Sequence, residues 1–339
     1  MTTPLLSVRD LRLDYPAKRT FFQHGTPRAV QALAGIDLDI AAGETLALVG
    51  ESGSGKSTLG RVLVRLNKPT VGSIEYNGAA ISSLEGRHLQ PYRRHLQMIF
   101  QDPYGSLNPR LTVGRSIAEP LVVQGIARGR KLREMVADCL QTVGLDPVMA
   151  DRYPHAFSGG QRQRIAIARA IVAPISTNLP AFIVADEPLS ALDVTAQMQI
   201  VSLFLDLKTR YALTYLFISH DLNLVRRIAD RVAVMYLGKL VEVGPTHEVF
   251  AQPKHPYTQA LLAAVPVPDP IAERTRVYRP LQGQPPSPAD PPSGCRFHPR
   301  CPLAEDVCRW FRPPKIGVGE GHFASCHFVT NPSRLRTSP

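Results

Sequence analysis

The sequence predicts an α/β fold with a mainly parallel sheet, on three observations. Short apolar runs alternate with stretches of helical period from residue 161 onward. One apolar run, residues 45–49, feeds a Gly-rich loop that opens a helix. Another, residues 181–185, is wholly apolar and ends in two carboxylates.

The elements follow in order. Residues 5–13, 30–40, 45–49, 73–76 and 96–100 read as strands, with Gly43 and Gly78 marking turns. From 118 to 143 the pattern is helical, with Leu132, Met135, Val136, Leu140 and Val143 at spacings of 1, 3 or 4. Alternation then resumes: helix from Gln161 to Ala173, strand 181–185, helix 195–207, strand 214–218, helix 222–228. Nothing repeats internally, so the chain holds one such domain and not two in tandem. Residues 266–292 carry nine prolines and read as an extended surface linker, since proline supports neither helix interior nor central strand. The chain divides into a main domain, 1–265, with a helical subdomain at about 103–160, a linker, 266–293, and a Cys-rich extension, 294–339, whose last nine residues read as disordered.

The totals restrict the class. A chain of 339 residues with 44% hydrophobic content can bury a full core. No apolar run approaches the roughly 18–20 residues that span a bilayer. The start, Met1-Thr2-Thr3-Pro4-Leu5-Leu6, has no basic n-region or long apolar stretch, so a cytosolic protein is expected. The net charge of +11 suits nucleic acid, an anionic membrane surface or simply an Arg-rich solvated surface. No run of five or six consecutive basic residues supports the nucleic-acid reading.

The phosphate chemistry is local. Gly50-Glu51-Ser52-Gly53-Ser54-Gly55-Lys56-Ser57-Thr58 lies between a strand and a helix, the context a P-loop requires. Its glycines let backbone N–H groups curl around phosphate oxygens, and the helix N-terminus adds positive potential. Gly50, Ser52, Gly53, Gly55 and Thr58 form the cradle, Lys56 reaches the β- and γ-phosphates of ATP, and Ser57 ligates Mg²⁺. Asp186 fits an aspartate that holds the metal through water, and Glu187 a base that polarises the attacking water.

A further run, Phe157-Ser158-Gly159-Gly160-Gln161-Arg162, lies about 100 residues past the loop. It resembles the signature motif of ATP-binding-cassette (ABC) ATPases, and further residues match the family. Ser190-Ala191-Leu192-Asp193 resembles the D-loop. Gln101 resembles the Q-loop glutamine that reaches Mg²⁺ and the water, and His220 the switch histidine at the γ-phosphate. Tyr15 resembles the aromatic that stacks on adenine. The resemblance covers residues 5 to about 265 and implies an ABC-type P-loop ATPase core with an antiparallel β subdomain and a helical subdomain. It also implies that Ser158, Gly159, Gly160 and Gln161 serve ATP held by another cassette. One departure is an apparent polar loop insertion around residues 174–178.

Phe100-Gln101-Asp102-Pro103-Tyr104-Gly105-Ser106-Leu107-Asn108-Pro109-Arg110 and His255-Pro256-Tyr257-Thr258 narrow the likeness to dipeptide and oligopeptide importer ATPases, most similar to the F-type ATPase of dipeptide permeases. That resemblance implies a peripheral subunit on the cytoplasmic face of a bacterial inner membrane. Its partners would be a second, non-identical ATPase, two membrane permeases and, indirectly, an external peptide-binding protein; no nucleic-acid partner is expected. The segment after Gln101, through Ser116 and Ile117, would lie near the permeases. The same machine importing nickel chelates or other small solutes is one alternative. A soluble ABC ATPase of translation or DNA repair is another, although the chain has neither tandem cassettes nor long coiled-coil arms.

Of five cysteines, Cys139 sits alone in a helical stretch and reads as a buried apolar residue. Cys295, Cys301, Cys308 and Cys326 crowd the end, separated by five, six and seventeen residues. Four such thiols could hold zinc or a [4Fe–4S] cluster, or be unrelated buried thiols; the short C-x2-C pair common in zinc sites is absent. The importer resemblance implies the iron–sulfur cluster, with Arg296, Arg300 and Arg309 offsetting its charge. His298, His322 and His327 are secondary candidates.

Overall fold

Two sheets carry the fold in a computed structural model that describes residues 3–16, 29–177, 180–265, 281 and 283–329. The smaller sheet is antiparallel. It joins β1 (Leu6–Tyr15), β2 (Val30–Ile40), β4 (Val71–Tyr76) and β5 (Ala79–Ala80) in the order β2-β1-β4-β5. The larger sheet has a parallel centre of β9 (Arg231–Tyr236), β3 (Thr45–Val49), β8 (Thr214–Ile218), β7 (Phe182–Asp186) and β6 (Leu96–Ile99), side by side in that order. Every residue of β3, β7 and β8 is buried, as expected of parallel strands covered on both faces.

Strand alternation divides the core. Phe182, Val184, Leu216 and Ile218 face the antiparallel sheet and helix α1 (Lys56–Leu63), packing with Leu6, Leu11, Leu59 and Leu63. Ile183, Ala185, Tyr215 and Phe217 face a helical layer. Fully burying each such side chain contributes about 1.5–3 kcal/mol, so both faces anchor β7 and β8 firmly.

After the one-turn helices α2 (Gly86–Leu89) and α3 (Pro103–Ser106), the helical layer holds α4 (Val113–Val123), α5 (Gly129–Thr142), α6 (Gly159–Ile175) and α7 (Val194–Tyr211). The single helix read from 118 to 143 is two. Gly125 and Gly129 adopt φ of +65° and +59° around the break, a conformation that ends a right-handed helix. The polar insertion also starts later than expected. Pro174 is buried within α6 and Ile175 completes it, leaving Ser176 and Thr177 as its end and Asn178 outside the described residues. Proline there forgoes the backbone bond to the Ala170 carbonyl, and beyond it the Ser176 and Thr177 hydroxyls donate to the Val172 and Pro174 carbonyls of the last turn.

Beyond α8 (Leu222–Ile228), β9 turns into the antiparallel β10 (Lys239–Pro245), followed by α9 (Thr246–Ala251) and α10 (Pro256–Ala263). The Cys-rich segment does not stand apart from this core. Its hairpin, β11 (Ile316–Gly319) and β12 (His322–Ala324), prolongs the main sheet: β12 pairs with β10 through Glu242↔Ala324 and Val243↔Phe323. Glu242, fully buried, accepts a 2.8 Å bond from His322 Nε2 at this seam. Most of the proline-rich linker and the last residues, 331–339, lie outside the described residues. Among the described residues no helix is long and apolar enough to cross a membrane.

Candidate nucleotide site

The P-loop leaves the buried end of β3 and turns into α1. Gly50 takes φ +150°, and a Cβ on it would lie 2.2 Å from the Met235 carbonyl oxygen, so only glycine lets the loop pass the end of β9. Lys56 folds back into the loop, where Nζ donates to the carbonyl oxygens of Gly50 (2.8 Å) and Glu51 (2.9 Å). Burial lowers the Lys56 pKa, against the opposing pull of Glu187, Asp186 and Glu51. An ammonium bonded to two loop carbonyls at the N-terminus of a helix is a fitting receptor for phosphate.

Asp186 ends β7 directly beside α1. Ser57 Oγ donates to Asp186 Oδ1 at 2.9 Å, joining two residues 129 apart in sequence. Burial raises the Asp186 pKa, while the Ser57 bond works against it. A hydroxyl and a carboxylate thus share one buried corner next to a lysine, a donor set that suits Mg²⁺.

Glu187 follows with φ +45°, outside the usual strand and helix regions, and its amide donates to the Ile218 carbonyl at 3.0 Å. This turn holds its carboxylate between two side chains. Gln101 Nε2 donates to Oε2 at 2.9 Å, and His220 Nδ1 lies 3.4 Å from the same oxygen. Gln101 follows β6 and His220 follows β8, so the ends of three adjacent parallel strands deliver the triad. This is the C-terminal edge of the sheet, where α/β folds place their ligands.

The signature run sits at the start of α6. Ser158 caps it in a reciprocal box: Gln161 N–H donates to Ser158 Oγ at 3.3 Å and Ser158 N–H to Gln161 Oε1 at 3.0 Å. A Cβ on Gly159 or Gly160 would lie 3.5 Å from Leu192 or 3.6 Å from Ala196, so the motif lies against the start of α7, which Asp193 caps through Ala196 N–H. Ser158 and Gly159 are exposed there. Tyr15, at the end of β1, is half-exposed, and its hydroxyl accepts from Asn67 Nδ2 at 2.9 Å.

Ser116 and Ile117 are buried on α4, while Phe100, Tyr104, Val122 and Val123 are exposed. The terminal cysteines are all free, and Cys295, Cys301, Cys308 and Cys326 lie close enough to interact electrostatically. Burial pushes Cys295 up to about 11 and Cys301 up to about 12, keeping both as thiols in the absence of a cation. Among the described residues no three His, Cys, Asp or Glu groups are arranged to hold a metal ion.

Residue patterns did not reveal what holds the front of the P-loop. Tyr257 Oη accepts from the Glu51 N–H at 2.8 Å, which gives the His-Pro-Tyr-Thr run a physical task. Arg300 reaches the Glu51 carboxylate from 249 positions away. Only the shared fold could bring these groups together.

Two family models match the chain: ABC transporter over residues 33–190, and oligopeptide/dipeptide transporter, C-terminal region, over residues 241–308. The chain is 48% identical to the Probable peptide ABC transporter ATP-binding protein y4tS of Sinorhizobium fredii, over 100% of this chain and 94% of that protein. It is also 48% identical to the oligopeptide transport ATP-binding protein AppF of Bacillus subtilis, over 96% of this chain and 98% of that one. Among solved structures, a dimeric post-hydrolysis state of the ATP-binding cassette MJ0796, bound to ADP and Pi, superposes with a TM-score of 0.61 at 29% identity. That match covers 71% of this chain and 98% of the other.

Proposed function

The chain belongs to the ATP-binding subunits of ABC transporters, in the oligopeptide/dipeptide group, and on that premise we propose that it hydrolyses ATP to drive peptide import. The observation that carries the reading is the Glu187 carboxylate, held by Gln101 at 2.9 Å and faced by His220 at 3.4 Å, at the strand edge beside the P-loop.

Each residue takes a role from its position. The P-loop amides cradle the phosphates, and Lys56 exchanges its two carbonyl partners for phosphate oxygens. Ser57, Asp186 and Gln101 would hold Mg²⁺, which when bound draws negative charge from the phosphates. Glu187 accepts a proton from the attacking water, Gln101 orients it, and His220 contacts the γ-phosphate. Tyr15 offers its ring to adenine.

Ser158, Gly159, Gly160 and Gln161 sit at a helix start and serve nucleotide on a partner cassette, with the Gly159 and Gly160 N–H groups lying outside the capping box. That partner is a second, non-identical ATPase, with Asp193 at the seam between the two. Two permeases dock where Phe100, Tyr104 and Val123 are exposed, at the cytoplasmic face of the membrane, and an external binding protein delivers peptide. Closure of the cassette pair on ATP is the two-state element that couples hydrolysis to the permeases.

Glu187→Gln tests the assignment, since it keeps shape and removes the base. ATP affinity stays within about twofold while turnover falls about 100-fold or more, the usual scale for losing a general base. Unchanged turnover removes Glu187 from that role.

Cys295, Cys301, Cys308 and Cys326 are assigned to a [4Fe–4S] cluster, with zinc as the alternative. Four free thiols in one small module, within electrostatic reach of one another, support it. Anaerobically purified protein then contains iron and acid-labile sulfide, lost in Cys301→Ser. Stoichiometric zinc without iron selects the alternative.

A further inference from the structure

The Cys-rich segment touches the phosphate loop itself. Arg300 Nη1 and Nη2 bond the two Glu51 carboxylate oxygens at 2.6 and 3.0 Å, a fork-to-fork pair. The Arg300 side chain is only 4% exposed and that of Glu51 27%, so the pair is largely shielded from water.

Arg300 is also placed by packing. Its Nη1 lies 3.4 Å from Tyr236 Oη, and the neighbouring Phe297 is buried against Tyr236, Tyr257 and His255. Tyr257 in turn accepts from the Glu51 N–H, and the Glu51 carbonyl accepts from Lys56 Nζ. All three polar groups of Glu51, carboxylate, amide and carbonyl, are therefore occupied. The terminal module holds the first, α10 the second and the phosphate-binding lysine the third.

We propose that Arg300 is a positioning residue for the ATPase site: through Glu51 the terminal module sets the P-loop backbone on which Lys56 and the phosphate-binding amides depend. The module is then a strut of the nucleotide site, and ATP affinity reports its integrity. By reciprocity, ATP stabilises the docked module by the same factor. The proposal rests on the assignment of residues 50–58 as the phosphate cradle.

ATP affinity of the full-length chain, titrated with a fluorescent ATP analogue, tests it across Arg300→Ala, Arg300→Lys, Glu51→Gln and the double variant Arg300→Ala/Glu51→Gln. Each of Arg300→Ala and Glu51→Gln weakens binding about tenfold, a fraction of what breaking a buried pair costs. The double variant is no weaker than the worse single, because both remove one interaction. Arg300→Lys recovers part of the loss, which a purely volumetric role would not produce. Should Arg300→Ala fail to fold, Glu51→Gln reads the same contact from the loop side. Wild-type affinity in folded Glu51→Gln, or single effects that multiply in the double variant, overturns the proposal. Lys56→Ala separates the two layers: if it leaves ATP affinity unchanged, the cradle assignment itself fails.

Discussion

Gly60 and Glu187 show the tolerances on which the site depends. A Cβ on Gly60 would approach Val184 Cγ1 to 2.7 Å, so α1 lies on β7 only because glycine faces it. That close approach is what lets Ser57 reach Asp186. Glu187 pays a backbone strain on the order of 1 kcal/mol or more to point its carboxylate at Gln101 and His220. The placement of Lys56, Ser57, Asp186 and Glu187 was legible because each sits in a short motif whose flanks announce strand or helix. The Glu51–Arg300 pair was not, since a contact spanning 249 positions leaves no local pattern. The cysteines fall between these cases: their spacing shows a cluster in sequence, but sequence does not fix thiol geometry.

Among the elements, β2, β3, β8 and α8 occupy the residues that periodicity assigned to them. The central strands are buried on both faces and the glycine turns around them are sharp. The miss at 118–143 has a physical cause, because Leu121 and Leu140 belong to one core and continue a common apolar pattern across the turn. Strands β9, β10, β11 and β12 went unread; the last two, four and three residues long, are too short to carry a period.

Helix α10 gives a pH prediction. His255 Nδ1 accepts from the Tyr257 N–H as the N-cap, and burial lowers the His255 pKa to about 4, with Glu242 opposing. The unfolded chain protonates His255 near its ordinary 6.5 and the folded chain does not, so the unfolded state binds more protons between those values. Stability therefore rises with pH from about 4 to 6.5, by at most on the order of 3 kcal/mol from this group. His255→Asn keeps a capping oxygen and removes the titration. Its urea midpoint should be less dependent on pH than that of the wild type across this window. Equal slopes would remove His255 as a source of the dependence.

At the scale of the molecule, one sheet runs from the Q-loop strand β6 to the terminal hairpin, so the ATPase core and the Cys-rich segment share a single hydrogen-bonded frame. The chain places the Glu187 carboxylate at one edge of that frame and its exposed signature run at the start of α6. The α/β class was legible from alternation, and the antiparallel subdomain followed from the family resemblance of the motifs. The docking of the terminal segment was not, because its strands are short and the preceding prolines read as an extended surface linker. The central claim is that this site, paired with a second cassette beneath two permeases, spends ATP on peptide uptake. ATP turnover of the complete transporter in liposomes, with and without peptide-loaded binding protein, tests it most directly. The account predicts turnover that rises severalfold with the loaded binding protein; turnover indifferent to peptide, in an assembly that binds ATP, would contradict it.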